Sequence, residues 1–213
     1  MDDDSQAKAY ANADFEEPHS NFIKLFQHIF GCVVASGCVL DLGCGPGDIT
    51  SRFARAYPNC TVHGVDGSAP MISHGKRIFM EASDIKDRVR LLQGVLPGAV
   101  LLQEKYDVII SNSLLHHLRD PLVLWESVWK YAVSGATVFV MDLLRPATCD
   151  EARQLVETYT ANEPEVLKRD FYNSLLAAFE LQEVVVQLKE ARLDHLSVEV
   201  VSDRHFIVTG HMP

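Results

Sequence analysis

The sequence predicts an α/β fold: a doubly wound, mostly parallel seven-stranded sheet, with helices on both faces and a C-terminal antiparallel hairpin. Three observations carry it. Short apolar, β-branched runs alternate with segments of helical period, which is the rhythm of a parallel sheet with crossover helices. A glycine-rich bend follows the first run directly. Two alternating segments, His195–Val201 and His205–Thr209, close the chain about Ser202-Asp203-Arg204, as a hairpin would.

Composition sets the bounds. The 213 residues are 47% hydrophobic with net charge −10, enough for one core in a single domain. An acidic balance disfavours a nucleic-acid backbone as partner, and no run has the length of a membrane span. The start, Met1-Asp2-Asp3-Asp4, is not a secretory signal. Cys32, Cys38, Cys44, Cys60 and Cys149 are odd in number and lack a C-x-x-C pair. They read as small buried hydrophobes in a reducing, cytoplasmic setting, with no metal site.

The elements follow in order. Residues 4–14 form a short helix or ordered arm, with Tyr10 and Phe15 as its bulky members. A helix capped by Ser20 or Asn21 turns Phe22, Leu25, Phe26 and Ile29 inward, and Gly31 ends it. Val39-Leu40-Asp41-Leu42 is a buried strand. It runs into Gly43-Cys44-Gly45-Pro46-Gly47, and beyond it Ile49, Phe53, Ala56 and Tyr57 have helical spacing. Glycine lets main chain turn sharply and lie against a ligand, and the helix start behind the bend suits negative charge. Neither usual phosphate loop fits. The third glycine of G-x-G-x-x-G falls on Asp48, and no Gly-Lys-Ser/Thr follows.

Cys60–Val65 is the second strand, ending at Asp66. A carboxylate closing the second strand of a βαβ unit can accept both hydroxyls of a ribose. Ser68 caps the next helix, whose inward residues are Met71, Ile72, Gly75, Ile78, Phe79 and Ala82. Arg88–Gln93 is the third strand, followed by Gly94-Val95-Leu96-Pro97. Tyr106–Ile110 is a fourth strand covered on both faces, leading into Ser111-Asn112-Ser113-Leu114-Leu115-His116-His117-Leu118. The chain reverses direction across the sheet between the first and fourth strands. Ligands bind beyond the strand ends at such a switch point, so Ser111, Asn112 and Ser113 face Gly43 and Gly45. Asp120-Pro121 starts a helix with Leu122, Trp125, Val128, Trp129 and Ala132 inward. Gly135 opens the fifth strand, Thr137–Met141. Residues 147–180 form a helical insertion too short for a core of its own, and Leu181–Leu193 is a further helix.

The series Asp41-x-Gly43-x-Gly45-x-Gly47 resembles the first motif of class I S-adenosylmethionine-dependent methyltransferases. The run Tyr106 to Pro121 resembles the fourth motif of the ubiquinone/menaquinone-biosynthesis type, not the Asn-Pro-Pro-Tyr of amide and adenine methylases. The resemblance extends from Val39 to Thr209 and implies a Rossmann-like methyltransferase fold, one domain over residues 1–213. A helical cap at 1–31 and the insertion at 147–180 would lie beside the active site. It implies S-adenosyl-L-methionine as cofactor, with the methionine carboxylate where phosphate sits elsewhere, and a small-molecule acceptor. The cofactor residues expected are Asp41, Gly43, Cys44, Gly45, Asp66, Gly67, Met71, Gly94, Val95, Asn112 and Ser113. The family commonly has an acidic residue reading the adenine amino group where this chain has Val95. Backbone at Gly94 and Val95, or Gln93, would then serve that edge.

His116 and His117 are the titratable groups nearest the expected methyl position, and either can take a proton near neutral pH. The alternative has one packed under the helix and the other contacting substrate. His19, Arg145 and Tyr172 are candidates for holding a polar acceptor, and Tyr10 for facing the ligand. Two other functions keep the same fold. One is a cofactor-binding protein without turnover; the other is an enzyme that transfers a different group, such as the aminopropyl arm. The sequence leaves the oligomeric state open.

Overall fold

The computed structural model describes residues 16–31 and 36–213; Tyr10, Phe15 and Cys32 lie outside them. Among the described residues the elements follow in chain order: α1 (Glu16–Phe30), β1 (Gly37–Leu42), α2 (Asp48–Ala56), β2 (Cys60–Asp66), α3 (Ala69–Glu81), β3 (Val89–Gln93), β4 (Tyr106–Asn112), a 3-10 turn (Leu115–His117), α4 (Leu122–Tyr131), β5 (Ala132–Leu143), α5 (Cys149–Thr160), α6 (Glu165–Ala177), α7 (Leu181–Glu190), β6 (Ser197–Val200) and β7 (His205–His211).

The strands form one sheet in the order β3-β2-β1-β4-β5-β7-β6. β1 to β5 are mutually parallel, and β7 runs antiparallel to β5 and β6. This is the expected doubly wound sheet with its closing hairpin. The order turns at β1, whose neighbours are β2 on one side and β4 on the other, so a crevice opens between the tips of β1 and β4.

The two-residue period of a strand sorts the core into two layers. Leu40, Leu42, Ile109, Val138 and Val140 face α4 and α7, meeting Trp125, Val128, Val184 and Leu188. Val39, Val108, Ile110, Phe139 and Met141 face α1, α2 and α3. There Phe26 contacts Phe53, Tyr57 and Phe139 edge to face, with ring centroids 4.9–5.6 Å apart, the arrangement aromatic quadrupoles prefer. Phe30 lies against His211 while Phe22 lies against Phe139. Thr137 pairs with His211, so α1 runs antiparallel to β5 and its first turn reaches the carboxyl tips of the sheet.

Several details differ from expectation. α1 starts at Glu16 rather than behind a Ser20 or Asn21 cap. β5 starts at Ala132, with Gly135 inside it at φ 78°. Ile78 is 50% exposed and Trp129 38% exposed; the Trp129 indole reaches out to donate to the Ala191 carbonyl at 2.6 Å. Cys149 is exposed, unlike Cys44 and Cys60. The Arg88 guanidinium donates to the Ala54 and Cys60 carbonyls at 3.0 and 2.9 Å. In the 147–180 segment Ala152, Leu175 and Ala178 pack on Leu143 at the end of β5. Among the described residues, no helix is long and apolar enough to cross a membrane.

Candidate functional site

The glycine bend is held from below. Gly43 and Cys44 N–H both donate to the Val65 carbonyl, at 2.9 and 3.1 Å, and Gly47 N–H donates to the Cys44 carbonyl. Gly43 has φ 72°, and a Cβ there would lie 2.7 Å from the Leu114 side chain. Gly45 has φ 53°, yet a Cβ there would meet nothing within 4 Å. Gly43 is therefore glycine for packing, whereas Gly45 leaves open space over a bare main chain.

The two strand-ending acids meet at this bend. Asp66 accepts from Gly45 N–H at 2.9 Å and from Ser68 N–H at 2.7 Å, and Ser68 caps α3 as expected. Asp41 is 1% exposed. Its Oδ2 accepts from the Thr50 hydroxyl at 2.6 Å, while Oδ1 has no partner. Burial pushes its carboxyl up, Thr50 opposes the shift and the nearby Asp66 adds to it, with the result about 7. An orphaned carboxylate oxygen sealed from water is a poor resting state, and a cation or strong donor would relieve it.

A cavity of about 660 Å³ lies over these groups. Each of Asp41, Gly43, Cys44, Gly45, Asp66, Gly67, Met71, Gly94, Val95, Asn112 and Ser113 lines it. So do His19, Asp48, Arg52 and His117. The chain thus offers what a nucleoside with an amino-acid tail requires: an acid beside a bare bend, a second acid with an unused oxygen, and apolar walls.

The two adjacent histidines separate. His117 reaches the cavity. His117 is exposed to solvent; partial desolvation of its ring and then His116 push its pKa down, against the pull of Asp142, and the exposure limits that shift. His116 does not line the cavity; it is buried behind it, its Nδ1 2.6 Å from Asp142 Oδ1, with ring centroids 4.0 Å from His117. Asp142 also accepts from Leu115 N–H at 2.7 Å and Leu143 N–H at 2.8 Å. Ser113 N–H donates to the Met141 carbonyl at 2.9 Å, with Ser113 itself at φ 55°. The tip of β5 therefore ties down the loop that presents His117.

Of the residues expected to hold an acceptor, His19 lines the cavity and Arg145 and Tyr172 do not. His19 Nδ1 lies 2.6 Å from Asp48 Oδ2, which Arg52 Nε reaches at 2.7 Å. Burial raises the Asp48 carboxyl, but these two partners outweigh it and hold it below the usual range. An ionised Asp48 only accepts, so His19 Nδ1 carries a hydrogen. Arg145 is engaged elsewhere: its Nε donates to the Ala178 carbonyl at 2.7 Å and its guanidinium pairs with Glu183 at 3.0 Å. Tyr172 packs in the insertion's apolar cluster. Both brace the insertion instead of entering the cavity.

Sequence reading missed Thr50, Asp142 and the His19–Asp48–Arg52 set. Asp142 carried a usable signal, since it ends a strand as Asp41 and Asp66 do. Thr50 carried none.

The family model described as a methyltransferase domain matches residues 40–138. An uncharacterized methyltransferase of Mycobacterium bovis is 31% identical over 110 residues, 52% of each chain. The trans-aconitate 2-methyltransferase of Deinococcus radiodurans is 32% identical over 125 residues, 59% of this chain and 44% of that one. The chain spans about half the length of the curated relatives it matches. A methyltransferase of Aquifex aeolicus whose crystal structure is described as S-adenosylmethionine-dependent superposes over 99% of both chains, with TM-score 0.71 at 16% identity. In motif order the chain is similar to these methyltransferases, and its fold is that of the S-adenosylmethionine-dependent one.

Proposed function

We propose that this chain moves a methyl group from S-adenosyl-L-methionine to a small-molecule acceptor by in-line displacement. One observation carries the reading: Asp66 is hydrogen-bonded to Gly45 N–H at 2.9 Å over a cavity that Asp41, with its unpaired oxygen, also lines. The cofactor supplies a sulfonium methyl that is already electrophilic. The chain's own residues bind, orient and exclude water. Asp66 takes the ribose hydroxyls, since each carboxylate oxygen has a second lone pair beside the N–H it already accepts. Gly43, Cys44 and Gly45 offer bare main chain to the amino-acid end, and Asp41 faces its ammonium. Gly67, Met71, Gly94 and Val95 flank the base. Asn112 and Ser113 close the crevice from β4.

His117 is the imidazole we assign to the acceptor side. Its low proton affinity suits it to accept a hydrogen bond from a hydroxyl or amine more than to keep the proton. His116 supports it from behind, and His19, held by Asp48, is a second imidazole lining the cavity. The ubiquinone/menaquinone-type run from Tyr106 to Pro121 and the relative named for trans-aconitate support a small acceptor, and the acidic surface fits a cytoplasmic setting.

Calorimetry with S-adenosylhomocysteine tests the reading, and no binding at millimolar ligand removes it. Asp66→Ala is expected to weaken that binding about 10-fold or more, the worth of a charge-assisted hydrogen-bond pair. Release of S-adenosylhomocysteine in the presence of pooled small metabolites separates an enzyme from a non-catalytic binder. The product's mass separates methyl from aminopropyl transfer.

A further inference from the structure

The two ends of the cavity differ in chemistry. Near α2 its walls carry Asp41, Asp48, His19 and Arg52; near β3 they are Met71, Ile78, Phe79, Val95 and Leu96, with no charged or amide side chain. The second end is also open, since Val95 is 72% exposed and Ile78 50% exposed. The Gly94 N–H at its floor is engaged, donating to the Asp66 carbonyl at 2.9 Å. Val95 lies over the turn that follows Asp66: a Cβ on Gly67 would meet its Cγ2 at 3.7 Å.

A nucleoside whose sugar rests on Asp66 extends its base toward β3, because Asp66 pairs with Gln93 on that neighbouring strand. The flat faces of the base suit Met71 and Ile78. Its polar edge meets a solvent-exposed valine. A site discriminates strongly when a buried polar group is built to pair with the ligand, and weakly when an apolar rim merely passes it.

Resting on the methyltransferase reading above, we infer that Val95 sets the base specificity of this site and leaves it permissive, so the chain takes cofactors alkylated on the exocyclic amine of adenine. The substituent projects past the rim into solvent and leaves the sugar and amino-acid contacts undisturbed.

Calorimetry with S-adenosylhomocysteine, its N6-methyl analogue and its N6-benzyl analogue tests this, on the natural chain and on Val95→Asp. An exposed position tolerates that substitution without loss of fold. The natural chain is expected to bind all three within about 3-fold of each other. Val95→Asp should bind the unmodified ligand about 5- to 10-fold tighter, as a charge-assisted hydrogen bond would, and discriminate against the benzyl analogue about 10-fold or more. A loss above about 10-fold for the N6-methyl analogue on the natural chain means a read or enclosed edge and overturns the inference. Unchanged selectivity in Val95→Asp overturns the placing of Val95 at that edge. Failure of the natural chain to bind S-adenosylhomocysteine overturns the underlying reading, and this inference with it.

Discussion

A carboxyl group sealed from water resists ionisation, and Asp41, 1% exposed and raised to about 7, is such a group. In the free chain it holds a proton through mildly acidic pH. A ligand ammonium against its unpaired oxygen would favour the carboxylate and expel that proton. Binding of S-adenosylhomocysteine at pH 6 is therefore expected to release about one proton, with affinity falling about tenfold per pH unit below 7. Calorimetry in two buffers of different ionisation enthalpy reads the proton count directly. Asp41→Asn should abolish both the release and the slope. If the natural chain exchanges no proton, the carboxylate does not face the ligand's cation.

The glycine bend and the loop after β4 show how elements share one task. Gly43 and Gly45 look alike in the sequence but do different work. Gly43→Ala combines a left-handed backbone with a Cβ 2.7 Å from Leu114. A cost of about 2–4 kcal/mol follows from left-handed strain plus overpacking, read as a melting temperature roughly 5–15 °C lower. Gly45→Ala has the same backbone strain but open space, so its stability cost is about 1 kcal/mol, while the added methyl blocks ligand approach. Thermal melts and S-adenosylhomocysteine titration on the pair should show stability lost in the first and affinity lost chiefly in the second. Equal effects in both variants would sink the division of labour. Elements that rest on period and glycine punctuation were legible at sequence level: β1, the bend, β2 and β4 all read correctly from local pattern. Arg145 and Tyr172 lie off the cavity lining, one held by Ala178 and Glu183 and the other packed in the insertion's apolar cluster, and residue type alone says nothing of such directions. The Asp142–His116 contact joins residues 26 apart across two strand tips, which no local spacing reveals.

Over the whole molecule, buried titratable groups pull stability in opposite directions with pH. His205 is pushed down to about 4 by burial and then by Arg204. The unfolded chain binds its proton more readily, so His205 makes stability rise with pH from about 4 to 6.5. Its burial is near complete, 9% exposed, and the contribution is of the order of 3 kcal/mol. Asp41 does the reverse. Its folded value of about 7 stands above the ordinary 3.8, so stability is full below the lower value and is lost as pH rises to the upper one. The loss is of the order of 4 kcal/mol, and it is the stability given up to keep a carboxylate facing the cavity. In the natural chain Asp41 offsets the rise that His205 contributes. Asp41→Asn removes one side of the balance. Its melting temperature should match the natural chain near pH 4, exceed it increasingly as pH rises to 7, and stay higher by a constant margin above that, while its affinity for S-adenosylhomocysteine falls. A variant that is less stable at pH 8, or whose advantage does not grow between pH 4 and 7, would mean that Asp41 is ionised and satisfied in the free chain, against the geometry of its unpaired oxygen.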